Sequence, residues 1–293
     1  MTAIALDAAA VVPTARRRPM NPSMVIGTIV IALVGFIAIF APWIVHVDPN
    51  FQDLTRTSVP PAWLVGGSAD HVLGTDHLGR DMFARILFGS RIAAIVGFSV
   101  VLIGGSIGVT LGLLAGYVGG WVDDVIGRIV DVQLAFPFIL LAVALVAVLG
   151  SSVTTVIAVL GITSWVQYVR VVRAETKALR QRDFIMAAHA TGATNARIIF
   201  KHILPNIASV VIVLATFEVA RAIILESALS FLGLGVPQAI PSWGAMLADG
   251  RQFLDTAWWI GTFPGLAIMI TVLGVNIFGD GLRDYVDPRS RGR

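Results

Sequence analysis

The stretch Asp183-Phe-Ile-Met-Ala-Ala-His-Ala-Thr-Gly192-Ala-Thr-Asn-Ala-Arg-Ile-Ile-Phe-Lys-His-Ile-Leu-Pro205 decides how the chain is read. It lies between two apolar segments, where a short polar turn would have sufficed. Asp183 is a good helix cap, because its carboxylate accepts the free amides of a first turn. Gly192 stands where a helix ends on a left-handed residue, a conformation that costs glycine nothing. Thr194 suits the cap of a second short helix, Asn195 to about His202, and Pro205 opens the next apolar span. The spacing therefore predicts two short helices at an angle. Ile185, Ala188, Ile198, Ile199 and Phe200 supply apolar surface, while Arg197, Lys201 and His202 add charge. Helices this short are marginal alone, so a partner surface or the ends of neighbouring spans must support them. An amphipathic element lying on the bilayer is the other reading.

Composition sets the frame around this stretch. The chain has 293 residues, 56% of them hydrophobic and 13% charged, against about 25% charged in an ordinary soluble domain. The apolar residues fall into blocks near the roughly 20 residues that a membrane helix needs. The expected fold is an all-α integral membrane protein with six spans, at about Met24–Val45, Ile92–Val118, Val132–Leu149, Val153–Val169, Ile207–Leu225 and Ala257–Phe278. Arg16-Arg17-Arg18 before the first block resembles a signal peptide, but the block exceeds the roughly 7–15 residues of a signal core. It reads as a retained span. The chain then divides into a tail (1–23), a six-helix membrane domain (24–280) and a second tail (281–293). Within the domain lie loops at 46–91, 170–206 and 227–256. The absence of cysteine excludes disulfides, thiolate metal sites and cysteine nucleophiles, and no cofactor or metal site is expected. A net charge of +3 does not point to nucleic acid, because the arginines flank apolar spans.

Charge bias orients the spans. Arg16–Arg18, Arg128, the seven basic residues from Arg170 to Lys201, and Arg283, Arg289, Arg291 and Arg293 fall on one side. The other side has Arg56, Arg80, Arg85, Arg91 and Arg251. The positive-inside rule places both termini and the 170–206 loop in the cytoplasm.

The spans carry internal texture. Gly104, Gly108, Gly112 and Gly116 recur every fourth residue, one face of a helix that lets another helix approach closely. That face packs either within the chain or against another subunit. Pro137 should kink the third span or mark its start after Ala135-Phe136. In the fifth span Glu218 and Arg221 are three residues apart and can pair, and Glu226 lies near the outer end, within reach of water. Ionisable groups at this depth rarely face lipid. They line a translocation path or fix helix rotation as an internal pair. Outside the membrane, Leu73-Gly-Thr-Asp76-His-Leu-Gly-Arg80-Asp81 favours tight turns, with Asp76, Arg80 and Asp81 as a local charge network. Gly233, Gly235, Pro237 and Pro241 argue against one continuous helix there, and Trp243, Trp258 and Trp259 suit an interfacial aromatic belt.

The 183–205 stretch resembles the EAA motif of bacterial ABC importer membrane subunits, the binding-protein-dependent permeases. That pattern is Glu-Ala-Ala, three residues, Gly, nine residues, Ile-x-Leu-Pro. Ala187-Ala188, Gly192 and Leu204-Pro205 fall at its spacing, while Met186 replaces the glutamate and His202 the isoleucine. Leu73–Asp81, Asp131–Pro137, Leu229–Gly235 with Pro241–Gly244, and Gly279–Asp284 with Asp287-Pro-Arg289 resemble the dipeptide, oligopeptide and nickel branch, in its second permease subunit. The resemblance implies the type I importer permease fold, in the bacterial inner membrane. Its implied partners are a second permease subunit in a heterodimer, two cytoplasmic ABC ATPases, an extracytoplasmic substrate-binding protein and the lipid bilayer. It assigns ATPase coupling to Asp183, Met186, Ala187, Ala188, Gly192, Arg197, Leu204 and Pro205. With Met186 in place of the glutamate, docking relies on shape and apolar contact more than on that charge. Dipeptides, longer peptides, nickel chelates and glutathione all remain open as cargo.

Two other classes compete. An ion-gradient-driven secondary transporter would use Glu218, Arg221 and Glu226 as coupling groups, but no convincing repeat relates the halves. An intramembrane enzyme needs a base beside a nucleophile, and all five histidines lie outside the expected spans. The chain also lacks the G-x-x-x-x-G-K-[ST] phosphate loop, so ATP hydrolysis is expected in partner subunits.

Overall fold

The computed structural model describes residues 22–286, so the Arg16–Arg18 cluster and the tail segment with Asp287, Arg289, Arg291 and Arg293 lie outside the described residues. Ten α-helices order the described chain: α1 (Pro22–Ile44), α2 (Met82–Val118), α3 (Gly120–Ala135), α4 (Phe138–Leu149), α5 (Val153–Arg180), α6 (Asp183–Ala190), α7 (Asn195–Ile198), α8 (Leu204–Phe231), α9 (Trp243–Gly250) and α10 (Trp259–Val286). A π turn, Ile199–Ile203, joins α7 to α8. Among the described residues, five helical stretches are long and apolar enough to cross a bilayer, and α3 with α4 makes a sixth crossing if the bent pair is one span.

The third span differs from a helix over Val132–Leu149. The chain turns by 85° between α3 and α4. Phe136 is extended, at φ −94° and ψ 128°, because the residue before a proline is driven out of the helical region and Pro137 has no N–H to continue the ladder. With 12 residues, α4 reaches only about 18 Å, short of the ~30 Å hydrocarbon core.

The glycine stripe faces α5 of the same chain. A Cβ on Gly112 would lie 2.8 Å from the Val172 Cβ, and one on Gly116 would lie 2.6 Å from the Thr176 Cβ. Gly104 and Gly108 meet Ser164 and Tyr168 in the same way. The paired numbers rise together, so α2 and α5 run parallel. Parallel neighbours require the chain to return to its starting side between them, and α3 and α4 make that return. By contrast α1 and α10 are antiparallel: Met24 abuts Gly281, and Val30 abuts Gly274. The opposite face of α1 leaves Ile29, Phe36, Ile39 and Trp43 exposed, as a lipid-facing surface requires.

A folded cap of turns precedes α2. The Asp76 carboxylate accepts the amides of Leu78 and Arg80 and pairs with Arg80 Nε at 2.6 Å. Arg80 also reaches Asp249 at 3.3 Å, tying the cap to α9. Asp81 takes no part in that pairing: it caps α2 by accepting the Ala84 amide at 2.7 Å and pairs with His71 at 2.8 Å. Nor do Trp243 and Trp259 sit in an interfacial belt. Both are buried, and their indole N–H groups donate to the carbonyls of Ile86 and Thr75 at 2.9 and 3.0 Å. Trp258 alone of the three is exposed.

Candidate functional site

The 183–205 loop folds as one helix, a turn, and an extension of α8. Asp183 occupies the first turn of α6 instead of its cap. Arg182 holds the cap position without a side-chain bond. A carboxylate in the first turn still complements the positive end of the helix dipole. At the other end Gly192 has φ +79°, and its amide donates to the His189 carbonyl while the Ala193 amide donates to Ala188, both at 3.0 Å. This is a Schellman closure, which satisfies the last free carbonyls of the helix. Thr194 caps α7 by accepting the Arg197 amide at 3.3 Å.

The expected second helix, ending near His202, is instead continuous with α8. Pro205 carries no N–H and its ring crowds the carbonyl four residues back, and the π turn Ile199–Ile203 widens the backbone just before it. The Asn206 side-chain Nδ2 donates to the His202 carbonyl at 2.6 Å, adding a bond across the widened turn. Two residues expected to offer docking surface are withdrawn. Ile185 and Ile198 are fully buried with Ile203 against Leu113, Tyr117 and Val172, at the ends of α2 and α5. The loop's exposed large apolar groups are Phe184, Met186 and Phe200, at 45%, 53% and 67%. Ala187, Gly192, Arg197 and Pro205 are exposed, and Ala188 and Leu204 are half-buried.

Sequence reasoning missed Tyr117. Its hydroxyl donates to Asn195 Oδ1 at 2.8 Å, and its ring stacks on His189 with centroids 6.3 Å apart. The end of α2 is thereby joined to both halves of the loop. Also missed was Asp123 on α3, which pairs with Lys177 at 2.6 Å and with the Arg173 guanidinium. A cavity of about 640 Å³ opens beside it, lined by Asp124, Arg128, Asp131 and Arg170. The available signal was the spacing of Asp123, Asp124 and Asp131 around Arg128 in a helix whose other residues are mostly apolar.

In α8, Arg221 Nη1 lies 3.4 Å from Glu218 Oε1. Glu218 is buried and Arg221 is exposed to a space between α3, α4 and α5. Glu226 does not reach water. It is 2% exposed, and the Ser230 and Ser227 hydroxyls donate to it at 2.7 and 3.3 Å. The turn after α8 folds back over it, with the Val236 amide donating to Ser230 Oγ at 3.1 Å.

A bundle of apolar helices with a structured, partly apolar loop defines a multi-span membrane protein. Residues 108–292 match the family described as binding-protein-dependent transport system inner membrane component, and the chain belongs to that family. It is therefore a permease subunit of a binding-protein-dependent importer and a multi-pass inner-membrane protein. Residues 16–61 also match the N-terminal TM domain of oligopeptide transport permease C. Among its relatives, the dipeptide transport system permease protein DppC of Alkalihalophilus pseudofirmus is 46% identical over 92% of this chain and 87% of its own length. The protein of that name from Escherichia coli K12 is 45% identical over 92% and 90%. The di/tripeptide transport system permease protein DppC of Pseudomonas aeruginosa is 42% identical over 90% and 87%. The ion-gradient alternative draws no support from these relatives.

Proposed function

We propose that the chain is one of two permease subunits of an ATP-driven importer of short peptides, with the 183–205 loop as the element that cytoplasmic ATPases move. An extracytoplasmic binding protein delivers cargo to the outer cap, at 46–91 and 227–256, and the second permease supplies the other half of the path. Both termini and the loop face the cytoplasm. The relatives named as dipeptide and di/tripeptide permeases support the cargo class.

The observation that carries the coupling role is the way the loop is mounted. Ile185, Ile198 and Ile203 bury one side of it against α2 and α5, leaving Phe184, Met186 and Phe200 outward. The α7 end runs unbroken into α8. A force applied to the exposed side is therefore transmitted along a helix that carries Glu218 and Arg221, without being lost in a flexible linker.

The test is peptide uptake and ATP hydrolysis by the complete transporter in proteoliposomes. Gly192→Pro cannot adopt φ +79°, since proline is held near −65°, and a glutamate at Ala188 adds charge beside the apolar side. Each is expected to uncouple hydrolysis from uptake or to prevent ATPase assembly, with membrane insertion unchanged. Normal assembly and uptake in either variant would count against a coupling role.

A further inference from the structure

Arg221 is poorly used by the chain itself. It lies in α8 about ten residues before the helix end at Phe231, roughly 15 Å along the axis. The guanidinium is permanently charged and carries five N–H donors, yet its partner among the described residues is Glu218 at 3.4 Å. The side chain is 43% exposed, at a depth where a cation facing hydrocarbon is costly.

It faces a cavity of about 270 Å³ whose walls include Gln133, Phe136, Pro137, Thr163 and Gln167. Gln133 is committed, donating to the Thr163 carbonyl and accepting from Trp165 Nε1, each at 2.8 Å. Gln167 has no side-chain hydrogen bond among the described residues. The break between α3 and α4 forms one wall, and non-helical backbone at membrane depth persists only inside protein or against water. The other walls, Leu134, Phe138, Leu141 and Val166, are apolar, so the underused guanidinium and the Gln167 amide are the polar groups left for a ligand in a space that the broken helix keeps open.

We propose that Arg221, with Gln167 beside it, holds the carboxylate end of a peptide as it passes through the permease. The proposal rests on the peptide-import reading above. A guanidinium fork matches a carboxylate by two parallel N–H donations, and the same charge repels the peptide's ammonium end. The cavity is smaller than the roughly 300–1,000 Å³ that encloses a whole small-molecule ligand, so it takes one end of the cargo. Glu218 balances the guanidinium when the site is empty and weakens its hold on the arriving carboxylate, which favours passage over retention. An acidic side chain of the second permease is the competing occupant.

Purified permease–ATPase complex, without binding protein, would be titrated with Ala-Phe and with Ala-Phe amide, and binding followed by saturation-transfer NMR. The expected result is about tenfold tighter binding of the acid, the scale of one charge-assisted contact. Arg221→Gln should remove that preference, Arg221→Lys should keep part of it, and Glu218→Gln should tighten acid binding severalfold. The proposal is overturned if wild type binds both probes equally or neither, or if the preference survives in Arg221→Gln. Loss of the second permease from purified Arg221→Gln complex would assign the guanidinium to the subunit interface instead, also overturning it. Uptake of Ala-Phe by the wild-type complex with its binding protein tests the peptide-import reading separately.

Discussion

The seam between α2 and α5 and the elbow between α3 and α4 touch the same helix, α5, and differ in almost every physical respect. The seam is tight: four glycines meet Ser164, Tyr168, Val172 and Thr176 with no room for a methyl group. The elbow is open, turns by 85°, and borders an incompletely paired arginine. Close-packed helices with interlocked backbones move as one body, because separating them forfeits many dispersion contacts at once. A broken helix beside a polar cavity can change angle at far smaller cost. The difference teaches that α2 and α5 form the tightly packed frame of the subunit, with α3 tied to it through Asp123 and Gln133 and the looser packing confined to the elbow where α4 departs.

Four substitutions test that contrast, from the largest effect to the smallest. Gly108→Leu places a branched side chain where Tyr168 and the Trp165 carbonyl already sit, and should destabilise the protein by about 3 kcal/mol. A fall in Tm of the detergent-purified protein would show it, and an unchanged Tm would mean the seam is no frame. Gly112→Ala is the milder form. Its Cβ would lie 2.8 Å from that of Val172, with an expected loss of about 1–2 kcal/mol in the same assay.

Pro137→Ala should change stability by less than about 1 kcal/mol while lowering uptake severalfold, since it restores a donor that lets α3 and α4 straighten. Uptake equal to wild type would leave the elbow as a packing detail. Met186→Glu, on an exposed position of α6, should leave stability within about 0.5 kcal/mol. Its effect should appear as tighter retention of the ATPases during purification. Weaker retention would show that the apolar side chain itself makes the contact.

Much of this architecture was legible in the sequence where a local rule acts. Apolar blocks announce spans, Gly192 and Thr194 punctuate the loop, and Pro137 marks a break, because each depends on a residue and its immediate neighbours. The misreadings share one cause, which is that burial is not a local property. Ile185 and Ile198 looked like docking surface until α2 and α5 covered them. Ser227 and Ser230 stand at helical spacing from Glu226, but the turn that returns over them through Val236 and takes the carboxylate away from water is not marked by that spacing. Trp243 and Trp259 have the composition of a belt but donate inward to Ile86 and Thr75, more than 150 residues away in sequence.

By itself, then, the sequence determined that the chain is a helical membrane protein, that its glycines lie on one face of α2, and that residues 183–205 form a structured loop around Gly192. Those follow from hydropathy, helical period and backbone freedom, all set within a few residues. Only the tertiary structure decided that α5 covers the glycines in parallel, that α7 runs on into α8, that α3 and α4 meet at 85°, and which of Glu218, Arg221 and Glu226 remains exposed. Those outcomes depend on which distant surfaces exclude each other's water and satisfy each other's polar groups, and that is settled when the whole chain packs.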